Sequence, residues 1–388
     1  MGRFTKIIAI AMTVLLFTTG CWDRIEIDNR AFVVMMGLDL YDPEKSTSGE
    51  RHKPPKNEEN RYKITYVLPR FAAIKEAPSS EQQSGAIVLQ TVAKSAYRGT
   101  RELTARMDSR PFFQHMKAFV FGIGVVENEQ YFMEVLDGLE RNTDISSKIH
   151  IFVTNEQSND ILSVKSTLKP LEYKLQGMGQ AYRGTPMYIP KTLEEVINDV
   201  LAGDAVIPRI QASDTEVKVA GSAVIKEKKF FAWLEEEETR AVAFLTNNVK
   251  KAILEVDYNG INIPYMVERA RTKKSAKIED GKIVIDIMIS TKGDIQQYIV
   301  GKEPRLTDVD FLKELEEIIE KQIKDEAERI INKVQKEMEV DIIGIGDHLK
   351  RYEPKIWKQV EHDWREVYPT VDINVKVTSS ITDIGTVK

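Results

Sequence analysis

Two rhythms of hydrophobic and polar positions divide this chain into elements. Ala31 to Leu40 (AFVVMMGLDL) is an apolar stretch of strand length that stops at Asp42-Pro43 and reads as a buried strand. Glu44 to Asn60 is rich in Lys, Glu, Pro, Ser and Asn and predicts a loop. Arg61 to Leu68 (RYKITYVL) alternates up to Pro69, a second strand. Ala86 to Ala105 carries Ile87, Leu89, Val92, Ala93, Ala96 and Leu103 at mixed helical spacing and predicts a helix. A strand over Met116 to Gly122, a helix over Asn128 to Leu139, a strand over Ile149 to Thr154 and a short helix over Glu156 to Val164 follow. Strands and helices alternate, giving an α/β N-terminal unit.

Gly, Pro and Tyr crowd Gly177 to Pro190, as in a linker or an interdomain surface. Thr192 is placed to cap a helix with Glu194 and Glu195 in its first turn, where the helix dipole favours negative charge. Glu216 to Lys226 and Lys229 to Glu236 read as strands around a tight turn, Thr239 to Leu245 as a helix and Ala252 to Asp257 as a strand. Tyr265 to Ile278 and Lys282 to Ser290 flank Asp280-Gly281, a two-residue hairpin signal, with Ile283, Ile285, Ile287 and Ile289 on one face. From Val309 to Met338 apolar residues recur at steps of three and four, predicting a long helix with a charged outer face. Gly344-Ile345-Gly346 breaks that pattern, Pro354 to Glu366 predicts another helix, and Val371 to Val377 a closing strand. The expected fold class is α+β: three domains, each a mixed or antiparallel β-sheet flanked by helices, at 21–185, 186–262 and 263–388, the last with a helix over 307–338.

Residues 1–20 stand apart from these elements. Arg3 and Lys6 precede an uncharged run from Ile7 to Phe17, the pattern of a signal peptide. Eleven helical residues rise about 16 Å, roughly half a bilayer's hydrocarbon core, so the run is too short to span. Thr18-Thr19-Gly20 then lead into Cys21, the single cysteine of the chain. Small residues before a cysteine mark a lipoprotein site, where Cys21 becomes an S-diacylglycerol cysteine and is N-acylated after the cut. Thr18 departs from the leucine usual at that position. The alternative is a plain secretory cut after Gly20 or Thr19 that leaves a free thiol. At about 0.8 kcal/mol per buried CH₂, two acyl chains form a stable tether where one is marginal.

Of 388 residues, 368 follow the signal segment, enough for two or three domains. The formal charge is −5, and loss of Arg3 and Lys6 lowers it by two, to −7. That balance argues against nucleic acid or an anionic membrane surface as a partner. With no second cysteine the fold cannot rely on an internal disulfide.

Candidate chemistry is sparse. His52, His115, His150, His348 and His362 form no close ligand pair, and neither a GxSxG elbow nor a GxxxxGK[ST] loop occurs, so no catalytic, cofactor-binding or metal residue is assigned. Gly122-Ile123-Gly124 lacks the third glycine of a dinucleotide fingerprint and reads as a strand-to-helix turn. Glu235 to Glu238 could attract a cation but reads as a solvated turn. Trp357 and Trp364, two helical turns apart, face one way.

Several blocks together resemble one family. Cys21-Trp22-Asp23-Arg24-Ile25-Glu26-Ile27, Ser109 to Lys117 (SRPFFQHMK), Gly221-Ser222-Ala223-Val224 with Trp233-Leu234, and Asp341 to Gly346 (DIIGIG) with Trp357, Trp364 and Tyr368-Pro369 are similar to the Ger(x)C spore germination lipoproteins, C subunits of germinant receptors. The resemblance runs from Cys21 to about Val387. It implies a non-enzymatic receptor subunit, lipid-anchored on the outer face of the spore inner membrane and assembled with integral-membrane A and B subunits. Of the residues, only Cys21 carries over with a chemical role. A solute-binding lipoprotein that captures the nutrient itself, in a cleft around Gly177 to Pro190, is the alternative.

Overall fold

A computed structural model describes residues 30–43, 61–69, 86–165, 170–181, 186–299 and 304–385, with Gly2 and Phe4. Apart from Gly2 and Phe4 the signal segment, and with it Cys21, Trp22 and the loop at 44–60 with His52, lie outside the described residues.

The N-terminal strand is divided. β1 (Arg30–Phe32) and β2 (Met35–Leu40) are separated at Val33-Val34, because β1 pairs with a short strand of its own while β2 enters a large sheet. β3 (Tyr62–Pro69) pairs antiparallel with β2, and β4 (Ala86–Ala93) with β3, from Tyr62↔Ala93 to Pro69↔Ala86. The first half of the helix expected over Ala86 to Ala105 is therefore this strand. Its Val88, Thr91 and Val92 suit a pleated surface, and pairing along all of β3 outweighs an ambiguous spacing. The helix α1 (Ala96–Thr104) starts only after Ser95, whose Oγ accepts from the Arg98 N–H at 3.2 Å.

β5 (Arg110–Phe112) pairs parallel with β1, and Phe32 meets Phe112 edge-on at 5.4 Å. β6 (Ala118–Gly122) runs into α2 (Ile123–Val126), the strand-to-helix turn expected there, and α3 (Glu129–Arg141) follows with Asn128 as its cap. Next come β7 (His150–Thr154), α4 (Ser158–Leu162) and α5 (Leu171–Ala181), the last occupying part of the expected linker. α6 (Leu193–Ala202) begins with a capping box between Thr192 and Glu195.

β8 (Asp204–Ala212), β9 (Val217–Lys226) and β10 (Lys229–Leu234) then complete an eight-stranded sheet of order β10-β9-β8-β7-β6-β2-β3-β4. These last three lie within the expected middle unit, β9 and β10 as the strands read there and β8 where the sequence predicts no strand, and they are hydrogen-bonded to the N-terminal unit, though β7 and β8 share only the registered pair Val153↔Arg209. The central strands are parallel and covered on both faces. Phe119, Phe121, Ile151 and Val153 pack with Leu103, Phe132, Leu136 and Val196 on one side. Met35, Val120 and Phe152 pack with Ile161, Leu162, Leu175 and Tyr188 on the other.

α7 (Glu236–Leu245) begins at Glu235, so the run of four carboxylates is a helix cap and first turn. Glu235 and Glu238 form a capping box, and Glu235 pairs with Arg209 at 2.7 Å. β11 (Ala252–Tyr258), β12 (Ile261–Glu279), β13 (Lys282–Ile295) and the last strand, β14 (Asp372–Asp383), form a four-stranded sheet in that order. Asp280 and Gly281 make the expected turn with φ of 49° and 77°. Between β13 and β14 lie α8 (Val309–Asn332), α9 (Ile345–Tyr352), α10 (Pro354–Val360) and α11 (Trp364–Val367). The long helix passes into a π turn at Lys333–Glu337, where buried Gln335 donates through Nε2 to the carbonyls of Tyr368 (2.9 Å) and Val371 (2.7 Å). The expected single helix over Pro354 to Glu366 is two, and Trp357 and Trp364 meet edge-on at 5.6 Å. The architecture is α+β, several β-sheets flanked by helices.

Candidate functional site at the junction of the two sheets

The densest arrangement of charged groups lies where the C-terminal unit meets β8. The π turn delivers the chain to Asp341, and Gly344, in the left-handed region at φ 71°, turns it into α9. The Asp341 carboxylate then accepts from the Ile345 N–H (2.8 Å), the Gly346 N–H (2.6 Å) and Trp364 Nε1 (3.2 Å). Any side chain at Gly346 would put its Cβ 2.8 Å from Trp364 Nε1 and 3.1 Å from Asp341 Oδ2. The Asp-Ile-Ile-Gly-Ile-Gly block is thus a carboxylate-capped helix start with a tryptophan packed on it.

From the large sheet, Asp204 Oδ2 accepts from the Asp341 N–H at 2.9 Å. From β12, Lys274 donates through Nζ to the Ile343 carbonyl. Burial pushes the Asp341 carboxyl up to about 6, against the pull of the two backbone N–H groups, Lys274 and Trp364. Burial also lowers Lys274, against Asp341 and Asp347, lowers His348 and raises Asp204. A cavity of about 710 Å³ opens here, lined among others by Lys191, Asp199, Asp204, Lys274, Asp341 and His348. Most of these groups hold one another: Lys191 and Asp199 are 2.5 Å apart. His348 Nε2 and Asp204 Oδ1 are buried without a hydrogen-bond partner among the described residues.

Further ties hold the C-terminal unit to the large sheet and α7. Lys226 Nζ donates to the Met338 carbonyl (2.7 Å), Arg365 pairs with Glu227, and Arg240 pairs with Glu326 (2.8 Å). A second buried carboxylate serves the N-terminal unit alone. Asp39 accepts from the Ser158 N–H (2.9 Å) and Oγ (2.6 Å), capping α4, and burial pushes it up to about 6. A Cβ at Gly122 would sit 2.0 Å from Asp39 Oδ1, which accounts for a glycine at that strand-to-helix turn.

Where described, the expected cleft at Gly177 to Pro190 is not where the cavity lies; Tyr188 is buried beneath the sheet and donates to the Met178 carbonyl at 2.6 Å. The histidines stay apart: His115 stacks near Phe32 and Phe112, while His362 is exposed. Among the described residues no three His, Cys, Asp or Glu side chains converge as a metal site would need, and no helix is long and apolar enough to cross a membrane. The Ser109 to Lys117 block forms β5 and the lead into β6, with Phe112 under the Arg30 guanidinium at 4.5 Å. Gly221, at φ 75°, lies so close to the Leu234 carbonyl that a Cβ would be 2.5 Å from it. The sequence singled out DIIGIG, Trp364 and Tyr368 as a pattern but missed Asp204 and Lys274, which carry no local signal.

Fold and junction define a multi-sheet α+β protein in which the Asp341–Gly346 block and Trp364 form a structural joint. Two family models cover nearly the whole chain: the spore germination protein N-terminal domain over residues 23–212, and the spore germination B3/GerAC-like C-terminal domain over 220–385. The chain belongs to this Ger(x)C family, the C-subunit family of spore germinant receptors. It is similar to spore germination protein YndF of Bacillus subtilis (strain 168), 23% identical over 98% of this chain and 96% of that protein. Spore germination protein A3 of the same organism is 22% identical over 96% and 95%. In fold it matches the crystal structure of the GerBC protein, with a TM-score of 0.60 and 18% identity, covering 84% of this chain and 95% of that one.

Proposed function

We propose that this chain is a lipid-anchored, non-enzymatic subunit of a nutrient-sensing germinant receptor, tethered through Cys21 to the outer face of the spore inner membrane beside integral-membrane A and B subunits. The observation that carries the reading is the family match across both halves of the chain, joined to the position of Cys21 after an apolar run and three small residues. β1 begins nine residues after Cys21, and nine extended residues reach about 30 Å, so the first strand stays close to the bilayer. Confinement to one surface raises the effective concentration of partners, and weak contacts then suffice for assembly. Detergent-phase partitioning of the full chain tests the anchor: Cys21→Ala moves the protein to the aqueous phase and slows germination, whereas unchanged partitioning sinks the idea.

A second reading, capture of a small nutrient by the chain itself, rests on the 710 Å³ cavity beside Lys274 and His348. Titration calorimetry with amino acids, sugars and nucleosides separates the two: saturable heat lost on His348→Ala supports capture, and silence supports the docking subunit.

A further inference from the structure

Among the described residues, the four-stranded sheet is covered on one face only. α8 and α7 pack on the face that carries Ile283, Ile285, Ile287 and Ile289, and the register shows what the opposite face holds. Three consecutive cross-strand rows read Arg269 and Lys292; Arg271, Ser290 and Thr378; and Lys273, Met288 and Lys376. All eight side chains are exposed. The bond between Thr378 Oγ1 and Ser290 Oγ, at 3.0 Å, shows that these strands present the same side. None of the five cations is in an ion pair with a described residue, whereas their neighbours are: Lys251 with Glu268, and Lys277 with Asp286 and Glu279. Carboxylates return at the margins of the patch: at Glu268, exposed beside Arg269 but already paired with Lys251, and in the flanking rows at Asp286 and Asp294. A chain of net charge −5 thus concentrates five positive charges, without an ion-pair partner among the described residues, on an area of about 10 by 14 Å.

We infer that this face rests on an anionic phospholipid surface, with phosphate headgroups neutralising Arg269, Arg271, Lys273, Lys292 and Lys376. The inference builds on the anchored reading above. The patch is an open sheet of long cations interspersed with Ser and Thr, without a tryptophan, tyrosine or phenylalanine. Protein-docking cores are instead depleted in lysine and enriched in aromatic anchors. Separate headgroups can each meet one side chain, and each cation near an anionic leaflet adds to the attraction. The net charge, which argues against such a surface, averages over a distribution that the fold has segregated.

Vesicle co-sedimentation tests this independently of the anchor, with a chain that begins at residue 21 and carries Cys21→Ser. Every described sheet and the cores around it lie beyond residue 29, so this chain keeps them. It is expected to bind phosphatidylglycerol-containing vesicles at low salt, to be released by salt, and to ignore pure phosphatidylcholine. Combining Arg269→Glu, Arg271→Glu and Lys273→Glu should lower partitioning at least about tenfold, with an unchanged thermal melt. Lys292→Glu with Lys376→Glu is the second variant should the first unfold. Equal binding to both vesicle types, or binding untouched by the reversals, overturns the inference. So does reversal-sensitive binding to protein-containing membranes without binding to protein-free vesicles, which would assign the face to an acidic protein. Because Cys21 is absent here, these results stand whether or not Cys21→Ala releases the full chain from membranes.

Discussion

The eight-stranded and four-stranded sheets bury their strands in opposite ways. In the large sheet β6 is buried at every position, and β7 at all but its first, because helices cover both faces. In the small sheet β13 alternates along most of its length, with isoleucines under α8 and Met288, Ser290 and Lys292 in solvent. Two covered faces leave little room for any polar side chain, whereas one bare face leaves half the positions free to carry charge. The large sheet is therefore where packing defects cost most, and the small sheet is where surface chemistry can be written without disturbing the fold.

Substitutions ranked by expected cost sharpen this contrast. Phe121→Ala empties a site packed against Phe119 at 4.6 Å and Phe132 at 5.3 Å, and should lower unfolding free energy by about 3–5 kcal/mol in chemical denaturation. Ile287→Ala, fully covered on the inner face of β13, should cost about 3 kcal/mol. A loss below about 1 kcal/mol there would mean that α8 does not seal that face. Asp39→Ala strips the Ser158 N–H and hydroxyl of their buried acceptor and should cost about 1–3 kcal/mol.

The same carboxylate carries a pH signature. Folding raises it from 3.8 to about 6, so Asp39 takes up a proton on folding between those values. Its contribution is fully present below pH 3.8 and is lost as pH rises through about 6. Stability of wild type relative to Asp39→Asn should accordingly fall from pH 4 to pH 6.5, and a flat difference would place the carboxylate in solvent. Smallest of all, Lys273→Ser on the bare face should stay within about 0.5 kcal/mol of wild type. A larger loss would mean that the face is packed, and would count against its use as a membrane-facing surface.

Local chemistry made much of the C-terminal unit readable beforehand. The Asp280-Gly281 turn needs two residues tolerant of positive φ, the alternation of Ile283 to Ile289 is a period of two, and the 309–338 apolar stripe is a period near 3.6. Thr192 and Glu195 form a capping box whose partners are three residues apart, hence visible in sequence. The run at Glu235 reads as a solvated turn for the opposite reason: it caps a helix and pairs with Arg209, twenty-six residues away. Residues of β4 read as helix in sequence because strand identity there is conferred by pairing with β3.

By itself the sequence determined the short-range elements, the apolar segment before Cys21 and the block pattern that marks the family, since each depends on residues within a turn or a strand of one another. Only the tertiary structure decided that β8 to β10 join the N-terminal sheet, that Asp204 meets Asp341, and that five cations of a net-acidic chain share one open face. Those outcomes depend on register and on chain crossings between residues far apart in sequence, 137 apart for Asp204 and Asp341, and no local periodicity encodes them.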